Sequence, residues 1–416
     1  MTALAGLRIL DLTDLKGAMC AKLFGDMGAD VIKIEPPEGD ATRRIGPFLD
    51  DKPHRRGNVS STRHEMLDTS PLSERSLLFW FYNTSKRGIT LDLNQPAGQE
   101  LAKQLAAKAD VLVESAAPGT LARLGLGYDE LKQLNPNLVL TSITPFGQTG
   151  PYRAYRSSDM VAEALGGMIW TNGFPDEPPL HAMGLQAYHS ASFFAAIGTL
   201  LALLTRDSLG EGQWVDVSMQ EAVAGAVEHV APFYHQGLGI ESRRGSLHWS
   251  RYFRVARCRD GYVMHCSLGD WTSLVEWVKG DKKAQDLEDA RWEDLIYRKD
   301  HAEHLFDILD DWAKDYSVAE LMEGAQLRRI PYAMVRPPEA LVDDPQLNDR
   351  GFFSAIEHPE LGRTVQYPGG PIHFTVTPWR IARRPPLLGE HNSEVYGNEL
   401  GLGADRLSAL KRAGVI

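Results

Sequence analysis

The 416-residue sequence predicts an α/β protein with a Rossmann-like, doubly wound parallel sheet in a large domain and a smaller α+β domain. Three observations carry that expectation. Apolar runs of strand length alternate with stretches of helical periodicity as far as residue 143. Strands joined in that way through helices run parallel, with right-handed crossovers. From about residue 205 the pattern changes to a strand and helix, a meander, and then consecutive helical segments. The length also exceeds what one core usually supports.

Taken in order, "LRILDL" (7–12) reads as a buried strand, "CAKLFGDMGA" (20–29) as a helix ending near Gly28, and "DVIKIE" (30–35) as the next strand. The unit repeats with "GITLDL" (88–93), a helix with Pro96 in its first turn, "DVLVES" (110–115), "YDELKQLN" and "LVLTSI" (138–143). Residues 36–76 form a polar segment rich in Gly, Pro and Arg, of the kind that is functional or mobile inside a compact domain. The loop after the first strand, "TDLKGAMC", has no GxGxxG, so a Rossmann-type sheet here does not imply NAD. Further on, "EGQWVDVSMQEAVAGAVEHV" reads as strand then helix and "RYFRVARCRDGYVMHCS" as a meander. We expect residues 1–224 to form the large domain, 225–330 the small one, and 331–416 a proline-rich segment that returns to the large domain.

Composition excludes several functions. With a net charge of −11 and no basic stripe, the chain lacks the footprint of a nucleic-acid binder, and any anionic ligand must be met by local arginines. Cys20, Cys258 and Cys266 have no CxxC spacing and no charged n-region with an apolar run opens the chain, so we expect neither a disulfide framework nor a signal peptide, and a cytoplasmic location. The apolar run "FFAAIGTLLALL" has 12 residues, short of a bilayer span, and no membrane association is expected. Histidines in "HRRGN" and "RHEM" (54–66) lack metal-ligand spacing, and no metal is expected. "GEGQ" (210–213) reads as a turn feeding a strand, and the tryptophans of "DWTSLVEWV" (270–278) as core.

Seven segments in one order carry a resemblance: "GLRILDLTD", "GDMGADVIKIEPPEGD", "NTSKRGITLDL", "GQELAKQLAAKADVLVES", "PGTLARLGLGYDELKQLNPNLVLTSITPFGQTGPY", "GEGQWVDVSM" and "PPLLGEH". Together, from residue 6 to about 396, they resemble the class III CoA-transferases, the CaiB/BaiF or formyl-CoA transferase group. The resemblance implies an interlocked dimer, with CoA at the C-terminal edge of the large-domain sheet. It also implies a reaction in which an aspartate attacks an acyl-CoA thioester. A mixed anhydride forms, then an aspartyl-CoA thioester, and CoA passes to an acceptor carboxylic acid.

The nucleophile is missing from its place. Aligning "AAIGTLLALL" (195–204) backwards without a gap puts Tyr188 at the family's aspartate, and Ala187 at the register used by the family's racemases. A phenol with an ordinary pKa near 10 is protonated at neutral pH, and its aryl ester does not yield the anhydride chemistry. His189 adjoins it, but neighbouring helical residues point apart. The family's Asn and aromatic on the adenine side of CoA are replaced by Ser115 and Ala116, and the first loop, "LKGAM" (15–19), is one residue shorter and lacks the usual proline. Leu91, Arg123 and Arg156 match family positions near the phosphates or adenine, the alternatives being a core leucine and solvated arginines. Asp159 falls at an acidic position beside the site, or caps the following helix. Racemases carry histidine before it, where this chain has Ser158.

The reading that follows is a non-nucleophilic subunit whose paralogous partner supplies the catalytic Asp, as in heteromeric succinyl-CoA:benzylsuccinate CoA-transferase. A coenzyme A thioester is then a substrate of the complex, with no tightly bound cofactor. The alternatives are a CoA-binding or scaffold homologue without activity, and an engineered variant of an active transferase.

Overall fold

A computed structural model describes residues 2–50, 74–240 and 242–416 and divides the chain into two compact units. The first comprises 1–168, 182–228 and 350–416, and the second 169–181 and 229–349.

The first unit is built on β1 (Arg8–Leu12), α1 (Ala18–Asp26), β2 (Asp30–Glu35), α2 (Leu77–Tyr82), β3 (Lys86–Thr90), α3 (Pro96–Ala106), β4 (Val111–Glu114), α4 (Thr120–Arg123), α5 (Tyr128–Leu134) and β5 (Val139–Thr144). It continues with α6 (Asp159–Leu165) and, after α7 (Met168–Thr171) at the junction of the units, with α8 (Gln186–Leu209), β6 (Trp214–Ser218) and α9 (Met219–Ala226). Six strands pair in parallel in the order β3-β2-β1-β4-β5-β6, the doubly wound arrangement the sequence predicts. β2, β4 and β5 are buried on both faces apart from Asp30, which is why they read as nearly continuous apolar runs rather than as alternation. The chain leaves β1 towards β2 and β3 on one side, then returns to β4 on the other. The gap between the C-terminal ends of β1 and β4 is therefore the topological switch point, where open α/β sheets bind ligands.

Helix α8 packs through small residues. Ala187, Ala191, Ala195, Thr199 and Ala202, three or four apart, form a buried stripe. The backbone comes so close to the sheet that a Cβ on Gly198 would lie 2.9 Å from Val215 Cγ1. At 24 residues, with mean hydropathy 1.5 in its most apolar window, α8 is longer and more continuously apolar than the 12-residue run suggested, and long enough to cross a membrane by those measures. Its small-residue face is nevertheless occupied by the sheet and α1. Gly210 ends it in the left-handed conformation (φ 76°), and "GEGQ" is a turn: a Cβ on Gly212 would meet the Leu138 carbonyl oxygen at 2.1 Å.

The second unit contains α10 (Val230–His235), β7 (Phe253–Arg257), β8 (Tyr262–Cys266), α11 (Trp271–Gly280), α12 (Leu295–Asp300), α13 (Ala302–Ala313), α14 (Val318–Leu327), β9 (Ala333–Met334) and α15 (Pro345–Asp349). β7-β8-β9 form an antiparallel sheet, and the core holds Trp292, Trp312 and Phe306. Composition drew this domain as 225–330. The compact unit runs to 349 because β9, concealed in "IPYAMVRPP", completes its sheet. It takes in 169–181 because the Arg243 guanidinium donates to the carbonyls of Trp170, Phe174 and Pro175.

The C-terminal segment belongs to the first unit, with a hairpin of β10 (Phe353–His358) and β11 (Arg363–Pro368), and α16 (Ala404–Arg412). Its proline-rich stretch lies along the outer edge of β3. Ser85 N–H donates to the Arg383 carbonyl, His391 N–H to the Gly88 carbonyl, and Gly88 N–H to His391 Nδ1. The tail thus occupies the ladder positions that an edge strand leaves open.

Candidate functional site

The site is assembled from the buried charges upward. Asp11, near the end of β1, is fully buried between the ammonium groups of Lys86 and Lys33. Burial pushes its carboxyl up, but the two cations prevail and hold it below the ordinary carboxylate range. Its Oδ2 accepts from Lys86 Nζ at 2.7 Å, and its Oδ1 accepts from Thr13 N–H at 2.9 Å and the Thr13 hydroxyl at 2.6 Å. Lys33 Nζ donates to the Thr13 carbonyl and pairs with Asp40 at 2.9 Å. These bonds fix the turn that leaves β1. The next residue, Asp14, is thereby presented at the switch point.

There Asp14 meets Ser115, from the loop after β4. Asp14 N–H donates to Ser115 Oγ at 2.9 Å, and the Ser115 hydroxyl donates to Asp14 Oδ1 at 2.8 Å. Lys16 closes the loop, its N–H donating to Asp14 Oδ1 at 3.0 Å and its ammonium to Oδ2. Beneath them Glu114 accepts from Ala116 N–H at 2.7 Å, and burial raises its pKa. Asp14 and Lys16 escaped the sequence reading, because only the strand order brings the loops after β1 and β4 together.

The head of α8 lies in the same region. Its N-cap, Leu185, has no side-chain acceptor for the free amides of the first turn. Asp159 supplies one, its Oδ1 accepting from Tyr188 N–H at 2.9 Å. The alternative role considered for Asp159, capping its own helix, is corrected by this geometry: α6 is capped by Ser158, whose Oγ accepts from Val161 N–H, and Asp159 caps α8 instead. Burial, with the carboxylates of Asp159 and Asp14, pushes the Tyr188 phenol up to about 12. The phenol therefore keeps its proton at neutral pH. His189 points elsewhere, as expected for a helical neighbour. Its Nε2 is 2.7 Å from the Tyr82 hydroxyl, and burial lowers its pKa. Ala187, the racemase register, is fully buried in the stripe against the sheet.

The remaining candidates divide. Ser115 is buried at the switch point and Ala116 follows it. Arg123 ends α4, downstream on the same side, and donates to Thr120 Oγ1 at 3.0 Å. Arg156 is exposed on the loop after β5. Leu91, 2% exposed, belongs to the core cluster, the packing alternative named for it above. The histidines of 54–66 lie outside the described residues.

At the C-terminal sheet edge the structure brings together Asp14, Lys16, Ser115 and the head of α8. The helix heads of α1 and α8 supply positive potential there, and Lys16 is paired with Asp14. No carboxylate occupies the Tyr188 position, and the nearest ones are committed: Asp14 to Ser115 and Lys16, Asp159 to an amide.

Comparison with known proteins places this arrangement. A family model for CoA-transferase family III matches residues 4–392. Succinyl-CoA:(R)-benzylsuccinate CoA-transferase subunit BbsE of Thauera aromatica is 35% identical, with 98% of this chain and 97% of that protein aligned. Formyl-CoA:oxalate CoA-transferase of Streptomyces coelicolor is 32% identical, over 100% of this chain and 99% of that one. Among solved structures, a CAIB/BAIF family protein from Brucella suis superposes with a TM-score of 0.81 at 27% identity, covering 95% of this chain and 99% of the other. With a switch-point site on a six-stranded parallel sheet and a family match over nearly its whole length, the chain belongs to CoA-transferase family III.

Proposed function

We propose that this chain is the non-nucleophilic subunit of a heteromeric class III CoA-transferase, and that a paralogous partner supplies the attacking aspartate. The observation that carries the reading is the phenol at the head of α8, raised to about 12, where the chemistry requires a carboxylate. In the complex, the partner's aspartate attacks the donor thioester and releases CoA thiolate, leaving a mixed anhydride. The thiolate then reopens the anhydride to an aspartyl-CoA thioester, freeing the donor acid. An acceptor carboxylate repeats these steps in reverse and leaves as the new thioester. The named relative, a subunit of a succinyl-CoA:benzylsuccinate enzyme, favours succinyl-CoA as donor and an aryl-succinate as acceptor.

A partner surface supports the same reading. The outward face of α8 carries Phe194, Ile197, Leu201 and Leu204 at spacings of three, four and three, and each is at least half exposed. Apolar residues at that heptad-like spacing form a seam for a second helix. Under this proposal the paralogous subunit covers it, in an interlocked pair. Three buried thiols, none bridged to another, accord with a reducing, cytoplasmic setting.

The deciding experiment expresses the chain alone and together with a paralogue that retains the aspartate. Succinyl-CoA-dependent transfer is expected only from the pair, and is abolished by replacing the partner's aspartate with alanine. Full activity from the purified single chain would overturn the proposal, and a pair that forms but stays inactive when its own aspartate is intact would do the same.

A further inference from the structure

A cavity of about 570 Å³ opens between the end of β10 and the tail segment 381–391, outside the site described above. It lies beyond β3, which is two strands from β1, a separation of about 10 Å at normal strand spacing. Ile356, Pro359 and Ile381 make part of its wall apolar, Arg383, His391 and Glu357 bring polar groups to it, and the paired Arg384 and Glu390 complete its polar side.

The hydrogen bonding of His391 determines its tautomer. Gly88 N–H can only donate, so His391 Nδ1, 3.1 Å away, is an acceptor and carries no proton. With Nδ1 taken as an acceptor, the proton of the neutral ring belongs on Nε2, and burial lowers the pKa of the ring. Nε2 lies 3.4 Å from Arg383 Nη1, which is also a donor. Two N–H groups therefore converge with no acceptor between them. Among the described residues no carboxylate pairs with Arg383, whereas its neighbour Arg384 is bound by Glu390 and Glu360.

We propose that this cavity is a second, non-catalytic binding site for a small organic monocarboxylate, whose carboxylate is held by Arg383 and His391 Nε2–H and whose apolar body lies on Ile356 and Ile381. The volume is several times that of an inorganic anion and matches a ring- or chain-bearing acid. Glu357, which has no cationic partner among the described residues, disfavours a ligand with a second negative end. This inference does not rest on the proposed subunit role. It concerns a different face of the first unit and has a readout independent of CoA transfer.

Benzoate, benzamide, succinate and inorganic phosphate serve as probes, titrated against the full-length chain while the His391 ring resonances are followed by NMR, with an Arg383→Gln variant alongside. Benzoate is expected to shift those resonances with saturation and to bind about tenfold more weakly to R383Q, as loss of a charge-assisted pair predicts. Benzamide and succinate should bind at least tenfold more weakly than benzoate, and Glu357→Gln should narrow the gap for succinate. Arg383 is exposed, so R383Q retains the fold, which its thermal transition checks. Equal affinity of benzoate for R383Q and the parent chain would overturn the assignment, and so would phosphate binding as tightly as benzoate.

Discussion

Asp159 joins two parts of the chain through one carboxylate, accepting the Tyr188 amide at 2.9 Å while sitting at the first position of α6. Asp159→Ala leaves the first turn of α8 without an acceptor and should cost about 1 kcal/mol, seen as a fall of about 2–4 °C in Tm. Asp159→Asn keeps an acceptor and should recover most of it. Asp40 gives a pH signature. Burial pushes its carboxyl up, but Lys33, the Thr42 hydroxyl and the Thr42 amide outweigh this and hold it at about 2, below its unfolded value near 3.8. A carboxyl depressed in the folded state stabilises the protein above its unfolded pKa, and the contribution disappears as pH falls through the folded one. Urea unfolding should therefore lose roughly 2 kcal/mol between about pH 4 and pH 2 from this group, and Asp40→Asn should remove that part of the slope. "AAIGTLLALL" reads in sequence as one continuous helical register, and α8 (Gln186–Leu209) contains it without a break. Asp14 was not legible, since its meeting with Ser115, 101 residues away, depends on strand order rather than on local pattern.

Helix α8 presents two faces of opposite character. Small residues face the sheet, and a row of large apolar side chains faces outward, with Leu204 76% exposed. If the paralogous subunit covers that row, Ile197→Asp combined with Leu201→Asp should weaken the complex at least a hundredfold, at about 1.5 kcal/mol for each buried side chain lost. The chain's own circular dichroism should be unchanged. Co-purification and size-exclusion chromatography measure the first, and retention of the complex would remove this face from the interface. Most elements were readable in sequence, because two-sided burial gives the strands continuous apolar runs. β9 was not, because two residues flanked by prolines carry no periodicity. Nor was the full extent of α8, whose polar first turn hides where it begins.

At the scale of the whole chain, the described residues of the two units have hydrophobic cores with separate memberships, one cluster in the second unit and several in the first. Trp312 is fully buried in the second, edge-on to Trp277 at 4.8 Å and donating from Nε1 to Asp281 at 2.7 Å. Trp312→Ala should cost about 3–5 kcal/mol, and scanning calorimetry should show one component moving down while the other, from the parallel-sheet unit, stays in place. The boundaries of these units were legible only in part, since 169–181 joins the second through hydrogen bonds that no composition shift announces.

The tail along β3 has a consequence in time. Gly88 finds its partner 303 residues later. A ribosome adding about 5–20 residues each second needs roughly 15–60 s to deliver it. Throughout that interval the nascent sheet has an unsealed border at β3, which closes only when the tail around His391 has emerged.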